Sequence, residues 1–296
     1  MQAKVDEMTQ GYIIVATGPL KFVEMAANLA ASIRVMDPAR AICLVHDAGL
    51  AIPSELAPLF DDYVQLAPDP EYPTVMTKIK LFDLSPYDET MFVDADCLMV
   101  KRDIDLYWEK SAGRHFSITG EKITTGEWKG YQIPDLMKQE GADYIVQMNS
   151  GVFYFDKSEQ SREFFAGINK FYLERKRFLP VSINNGTRKL SDELFFGVYM
   201  GKCHMTPMAN DPHSNNSWMV TTYHALGCSF KPDVDRSVLY KPTGYLFGVR
   251  YIPTGFRRLS PTFAHFVALR PVALYNRLAA MFRARALARP ERRRAA

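Results

Sequence analysis

The chain has 296 residues, of which 47% are hydrophobic and 23% charged. This length suits one large domain or two small ones, and the composition excludes a disordered or fibrous protein. No apolar run is as long as a membrane span, and the N-terminal MQAKVDEMTQ lacks the apolar core of a secretory signal, so we expect a cytoplasmic protein. The four cysteines are widely separated, which argues against a disulfide framework, and Cys43 and Cys97 lie in apolar runs that predict buried free thiols.

The net charge of +3 is distributed unevenly along the chain. From Arg270 to the C-terminus there are eight arginines and one acid, which gives this segment a charge of +7 and the remainder −4. A basic tail on a mildly acidic body predicts an anionic partner. Residues 272–282 have helical periodicity, and we expect this helix either to pack on the body or to attach the protein to the anionic inner face of a membrane. Nucleic acid is the less favoured partner, because only Tyr275 and Phe282 interleave the arginines.

Strand and helix patterns alternate along most of the chain. Apolar runs predict strands at 11–18, 41–47, 61–66, 90–100, 116–121 and 151–156. Helical periodicity predicts helices at 21–36, 74–84, 161–178 and 190–200. This alternation, with strands that are apolar throughout, predicts an α/β fold whose mostly parallel sheet is flanked by helices. Residues 202–259 are rich in Pro, Gly, Asn and Ser and predict no definite elements.

Two aspartates, Asp94 and Asp96, end the apolar run MFV of a predicted strand. Ligands of open α/β sheets bind beyond the carboxyl ends of the strands. If the chain stays extended, the two carboxylates point to the same side and repel one another unless a cation lies between them. Mg²⁺ and Mn²⁺ prefer oxygen ligands and are commonly shared with substrate phosphates. The pair therefore predicts a metal that holds a diphosphate; the alternative is an acid that merely caps a turn or helix.

Four segments in the same order resemble the family 8 glycosyltransferases, which are retaining enzymes with the GT-A fold. They are IIVATG…ANLAASIRVMDP, MTKIKLFDLSPYDETMFVDADCLMVKRDIDLYW, MNSGVFYFD and LSDELFF. The resemblance covers about residues 11–200, and the order of the segments is more specific than any one of them. It implies a GT-A domain over residues 1–269, followed by a basic helical tail at 270–296.

The resemblance implies an enzyme that moves a hexose, with retention, from a UDP-sugar to a glycan, lipid-linked or protein acceptor, using Mn²⁺ or Mg²⁺. By position, Asp94 and Asp96 would bind the metal and through it the diphosphate. Ala16 and Thr17 would lie against the nucleotide. Lys78 would reach the ribose or phosphates of the donor, unless it is only a solvated helix lysine.

On the sugar side, the resemblance implies that Asn149 and Asp192 contact the transferred sugar. The alternatives are a turn residue for Asn149 and a helix N-cap for Asp192. The family has Asp-Gln where this chain has Asp192-Glu193, so one further negative charge lies near the diphosphate. A basic side chain, either Lys231 or Arg270, would stabilise the leaving group.

The third metal ligand of the family is a histidine in an H-x-x-G-x-x-K-P-like segment, and two places in the chain resemble it. HALGCSFKP offers His224 with Gly227, Lys231 and Pro232, although one extra residue precedes the lysine. FAHFVALRP offers His265, with Arg270 in place of the lysine and without the glycine. We favour His265, because it ends a strand-like run just before the helical tail.

Two other functions compete with sugar transfer. A nucleotidyltransferase also binds a metal beside a phosphate, but it would usually have a Gly-rich basic loop near its N-terminus, for which ATGPLKF is a poor match. A degenerate, sugar-nucleotide-binding scaffold is the other, which the intact Asp94 and Asp96 disfavour and the altered Glu193 mildly favours.

Overall fold

The computed structural model describes residues 8–182, 188–209, 218–222, 227–231, 236–246 and 252–288. The α-helices are Lys21–Met36 (α1), Leu81–Leu84 (α2), Asp105–Ser111 (α3), Ile133–Glu140 (α4), Glu159–Arg175 (α5), Asp192–Lys202 (α6) and Val272–Leu287 (α7). The strands are Gln10–Ala16 (β1), Ala41–Asp47 (β2), Asp62–Leu66 (β3), Glu89–Val93 (β4), Cys97–Met99 (β5), Phe116–Ile123 (β6), Glu127–Trp128 (β7), Tyr131–Gln132 (β8), Ile145–Asp156 (β9), Val181–Ser182 (β10), Arg188–Lys189 (β11), Met219–Thr221 (β12), Gly227–Lys231 (β13), Arg236–Tyr245 (β14), Pro253–Leu259 (β15) and Phe263–His265 (β16). None of the described helices is long and apolar enough to cross a bilayer.

The fold is α/β, with a mostly parallel central sheet flanked by helices, as the sequence predicts. Its six strands are ordered β3-β2-β1-β4-β9-β6, with β1, β2 and β3 parallel to one another and β6 antiparallel to β9. Strands β2 and β4 are buried along nearly their whole length, which accounts for their continuous apolar sequences. By contacts between residues, the described chain divides into two compact units, which we describe in turn.

Unit 1 comprises the described residues of Met1–Gln10, Ala67–Met91 and Ser111–Ala209. Its core is a cluster of aromatic rings from the central strands and from α5 and α6. The rings include Phe82, Phe116, Phe153, Phe155, Phe164, Phe165 and Phe196, with neighbouring centroids 4.4–6.4 Å apart. Tilted and edge-on pairs of this kind stabilise a core beyond the area they bury, so α6 is held firmly.

Unit 2 comprises the described residues of Gly11–Leu66, Phe92–Lys110 and Asn210–Ala296. Helix α1 buries Ala, Val, Leu and Ile side chains, and α7 packs against it. The hydroxyl of Ser32 on α1 accepts a hydrogen bond from the backbone N–H of Met99, 2.8 Å away, which fixes β5 to this helix. Strand β16 lies between β12 and β5 in a small sheet. The same unit includes β13, β14 and β15, which form an antiparallel sheet from a region without a clear sequence pattern.

Most elements lie where the sequence predicts them, with two differences. Residues 74–84 form a 3₁₀ helix, Thr74–Lys80, followed by the single turn of α2, instead of one α-helix. The predicted strand at 90–100 is two strands, because the chain turns between them: the N–H of Cys97 donates to the carbonyl of Asp94 at 2.9 Å.

Candidate active site

Three side chains of types that can ligate a metal ion lie close together in unit 2: Asp96, Cys97 and His265. Strand β16 pairs antiparallel with β5, and its register sets His265 directly opposite Cys97. The N–H of Phe266 donates to the carbonyl of Asp96 at 2.9 Å, which extends this pairing to the aspartate. The imidazole Nε2 of His265 lies 3.2 Å from Oδ1 of Asp96, and the donor atoms of all three residues lie within 4.8 Å of one another.

The cluster is largely shielded from solvent. The Cys97 side chain is fully buried and His265 is 5% exposed, so an ion held there would meet little competing water. Tyr275 of α7 is close by: burial raises the pKa of its phenol to about 12, and the Asp96 carboxylate adds to this effect. The phenol is therefore neutral at physiological pH.

The donor atoms of Asp96 and His265 fit a divalent cation. Two atoms that are each about 2.1 Å from one metal ion lie roughly 3 to 3.5 Å apart, which matches the observed separation. A carboxylate and an imidazole together suit Mn²⁺ and Zn²⁺ better than Mg²⁺, which prefers oxygen ligands alone.

Asp94 is not part of this cluster of donor atoms among the described residues. The expectation that both carboxylates point to one side assumed an extended chain, whereas the turn from Asp94 to Cys97 ends the extended conformation at Val93. Asp94 lies half-buried at the carboxyl end of β4, one turn residue before Asp96. Its assignment as a metal ligand stays a prediction.

A second cluster, in unit 1, joins Lys78, Ser150 and Asp192. The Lys78 ammonium lies 2.9 Å from Oδ2 of Asp192, and the Ser150 hydroxyl donates to the same oxygen at 2.5 Å. Both charged side chains are 7% exposed, so Lys78 is a buried partner of a buried acid and not a solvated helix lysine. Burial by itself raises the pKa of Asp192, but the Lys78 charge and the Ser150 hydrogen bond outweigh it and hold that pKa below its ordinary value.

An irregularity in the pairing of β9 with β6 determines where Asn149 and Ser150 lie. On β9, Met148 pairs with Gly120 and Phe153 pairs with Ile118, so four residues of β9 lie opposite one residue of β6. Bulges of this kind redirect side chains and are common beside functional sites. The Asn149 Oδ1 accepts a hydrogen bond from the N–H of Gly151 at 2.9 Å, which fits the turn role considered for this residue.

Two glycines let α6 approach β9 closely enough to bring Asp192 to Ser150. A Cβ on Gly197 would lie 2.4 Å from the carbonyl oxygen of Val146, and one on Gly201 would lie 1.8 Å from that of Tyr144. No side chain can occupy either position without displacing the helix. Ser191, and not Asp192, is the N-cap of α6, and its side chain makes no cap hydrogen bond.

The extra negative charge of Glu193 is balanced in unit 1. Its carboxylate forms an ion pair with Lys129, which lies in the tight turn between β7 and β8. The Glu193 side chain is 15% exposed and that of Lys129 is 32% exposed, so the pair is only partly screened by water. The two adjacent acids of α6, Asp192 and Glu193, are thus each paired with a lysine from a different element.

Comparison with known proteins identifies the fold. No family model matches the sequence, and neither does any curated protein. Solved structures do: the galactosyltransferase LgtC in complex with donor and acceptor sugar analogs superposes with a TM-score of 0.55 at 12% identity, covering 92% of this chain and 96% of LgtC. The fold is that of the GT-A glycosyltransferases. The bifunctional glycosyltransferase WbbM matches with a TM-score of 0.51 at 12% identity over 88% of this chain, which spans about half (46%) of WbbM.

The other residues that the sequence analysis predicts for the site lie in unit 2 or outside the described residues. Ala16 is buried at the carboxyl end of β1, and Thr17 follows it. Arg270 is exposed five residues after His265, and Lys231 ends β13. The competing histidine, His224, lies outside the described residues.

Sequence reasoning missed three residues of these clusters. The apolar run around Cys97 predicts a packing role, although this cysteine directly follows Asp96. Ser150 lies next to Asn149, but no sequence signal predicts the bulge that turns it toward Asp192. Lys129 pairs with an acid 64 positions away in a contact that no local pattern encodes.

Proposed function

We propose that the protein is a metal-dependent glycosyltransferase that moves a hexose from a UDP-sugar to an acceptor hydroxyl with retention. The observation that carries the proposal is the contact between Asp96 and His265 in unit 2 of a GT-A fold. A carboxylate and an imidazole brought together from two strands in a buried place are a fitting pair of ligands for a divalent cation.

In the proposed reaction, the bond between the sugar C1 and the β-phosphate oxygen breaks, and a bond from C1 to the acceptor oxygen forms. The acceptor's proton leaves with the departing phosphate, so the chain need not supply a general base. A bound divalent cation would neutralise the charge that develops on the diphosphate. Asp96 and His265 would hold that cation, with Asp94 assisting, and Arg270 or Lys231 would add positive charge beside the leaving group.

The roles proposed for unit 1 concern the sugar. Asp192 is ionised, because its pKa lies below the ordinary value, and its Oδ2 is already engaged by Lys78 and Ser150. A carboxylate fixed in this way is suited to accept hydrogen bonds from sugar hydroxyls, and Asn149 offers an amide for the same purpose. Ala16 and Thr17 of unit 2 are proposed to lie against the nucleotide.

The test is a UDP-sugar hydrolysis and transfer assay with and without added divalent cation. Asp96→Asn and His265→Ala should each lower the metal-dependent rate by at least about a hundredfold, the scale of losing one electrostatic stabiliser. Asp105→Asn is the matched control, because that carboxylate is 74% exposed and pairs only at the surface with Arg40. Wild-type turnover in either site variant would contradict the proposal; nucleotidyl transfer in place of sugar transfer would favour the competing enzyme class.

We further propose that the acceptor or its carrier is met at an anionic membrane surface through the arginine-rich C-terminus. The described part of that segment is α7, whose apolar residues Leu274, Tyr275, Leu278 and Phe282 are buried within unit 2. The apolar face of α7 is therefore already covered, and any membrane attraction must come from the arginines. The four arginines from Arg289 onward lie outside the described residues.

A further inference from the structure

We propose that Cys97 is a sulfur ligand of the bound cation, and that the site therefore prefers Zn²⁺ to Mn²⁺ or Mg²⁺. The inference deepens the proposed function and rests on it only for placing a divalent cation beside Asp96 and His265. It changes the expected cofactor from Mn²⁺ or Mg²⁺, which are hard ions that bind oxygen, to Zn²⁺, which is of borderline hardness.

The first support is the strand register. Cys97 and His265 are directly paired across β5 and β16, so their side chains leave the small sheet on the same face. The sulfur of Cys97 lies within 4.8 Å of the ligand atoms of both His265 and Asp96. The proposal requires that side-chain rotation bring one carboxylate oxygen, one sulfur and one nitrogen around a single ion.

The second support is donor chemistry. Thiolate ligands select zinc and other thiophilic ions, imidazole suits zinc well, and magnesium prefers oxygen alone. Three protein ligands are also the number that catalytic zinc sites commonly provide, the remaining position being left for water or substrate. Asp96 and His265 alone would already bind Zn²⁺ more tightly than Mn²⁺, and a sulfur ligand from Cys97 would enlarge that preference.

The third support is the contrast with Cys43, the other fully buried cysteine among the described residues. Burial raises the pKa of the Cys43 thiol to about 12, with a smaller contribution from Asp62, and this cysteine belongs to no cluster of metal-binding groups in the described chain. Cys43 is therefore a packing residue and a matched control for Cys97. Cys203, which is exposed, provides a second control.

The experiment is a Co²⁺ titration of the full-length, chelator-treated protein, followed by absorption spectroscopy. Sulfur ligation gives a sulfur-to-cobalt charge-transfer band in the near ultraviolet, which oxygen and nitrogen ligands do not give. We expect this band in the wild type, in Cys43→Ser and in Cys203→Ser, and its loss in Cys97→Ser. Competition titrations should show that Cys97→Ser weakens Zn²⁺ binding by at least about tenfold, since losing even a residue that only hydrogen-bonds to a metal ligand typically costs that much. Mn²⁺ binding should change little.

A measurement on the wild type alone guards against a variant that fails to fold. X-ray absorption at the zinc edge should show one sulfur at about 2.3 Å from the ion. Cobalt or zinc bound without a sulfur neighbour, or tighter binding of Mn²⁺ than of Zn²⁺ to the wild type, would overturn the inference. If the wild type bound metal through sulfur but did not hydrolyse UDP-sugars, the inference about Cys97 would stand. The proposed function would then be contradicted.

Discussion

Lys78 and Asp192 form a buried ion pair whose two partners depend on each other. Removing one partner of such a pair leaves an uncompensated buried charge, which costs about 3–5 kcal/mol. We therefore expect Lys78→Met to lower the free energy of unfolding by that amount in urea denaturation. The exposed pair of Arg162 and Glu159 is the control, with side chains 59% and 69% exposed, and Arg162→Gln should cost less than about 1 kcal/mol.

The double variant Lys78→Met/Asp192→Leu separates charge from packing. Because it removes both charges, it should recover much of the stability lost in Lys78→Met.

The pH dependence of stability gives a second check on the role of Lys78. The pKa of Asp192 is lower in the folded protein than in the unfolded chain, so its contribution to stability is fully present above about pH 4 and is lost as the pH falls through the lowered value. Without Lys78, burial dominates, so acid should destabilise Lys78→Met less than the wild type; equal acid sensitivity would contradict this account.

At the level of single residues, the sequence indicates candidate site residues but not all of the residues that they contact. Asp96 and His265 follow from the resemblance to a known pattern, and the structure brings them within 3.2 Å. The partner of Asp192 did not follow, because Lys78 lies 114 positions earlier in the chain and helical lysines are usually solvated. Pairings of this kind arise only when the chain has folded.

Among the elements, the turn that joins β16 to α7 explains how this chain does without the expected glycine. Ala268 lies three residues after His265, where the family pattern has glycine, and its backbone is left-handed with φ 53° and ψ 31°. Leu269, which follows, also has a positive φ of 55°. Holding an alanine in this region costs free energy that glycine does not pay.

Ala268→Gly should therefore raise the free energy of unfolding by up to about 1 kcal/mol, because relief of strain exceeds the extra entropy of glycine in the unfolded chain. Ala268→Val should lower it, since a β-branched side chain tolerates this conformation poorly. Thermal and urea denaturation of the two variants measure both effects. A stabilised valine variant, or a destabilised glycine variant, would show that the left-handed turn is not formed in solution.

The elements that sequence patterns predicted are those whose periodicity is strong. Helix α1 runs from Lys21 to Met36, as its apolar spacing and Pro38 indicate. Strand β9 extends six residues earlier than its predicted start at Gly151, because bulged residues interrupt the apolar pattern that precedes it. Strands β13 to β15 could not be predicted, since Pro, Gly and Ser weaken the pattern while pairing between neighbouring strands still forms a sheet.

Over the whole molecule, charge is separated between an acidic body and a basic C-terminus. The segment from Arg270 has a net charge of +7 and the remainder −4. Part of the basic segment belongs to the folded unit: α7 packs on α1, and the Arg283 guanidinium donates to the carbonyl of Glu24 at 3.2 Å. A test of membrane binding should therefore leave α7 intact and change only the arginines beyond it.

We expect the full-length protein to sediment with vesicles that contain anionic lipid and not with neutral ones. Each arginine near such a surface contributes about 1 kcal/mol, so replacing Arg289, Arg292, Arg293 and Arg294 by glutamine should weaken binding by up to about a thousandfold. Replacement by lysine keeps the charge and serves as the control. Salt should release the wild type, because the Debye length falls from about 10 Å at 0.1 M to about 3 Å at 1 M. Hydrolysis of soluble donor should be unchanged in both variants. Equal sedimentation of the glutamine and lysine variants would mean that another surface of the protein binds the membrane.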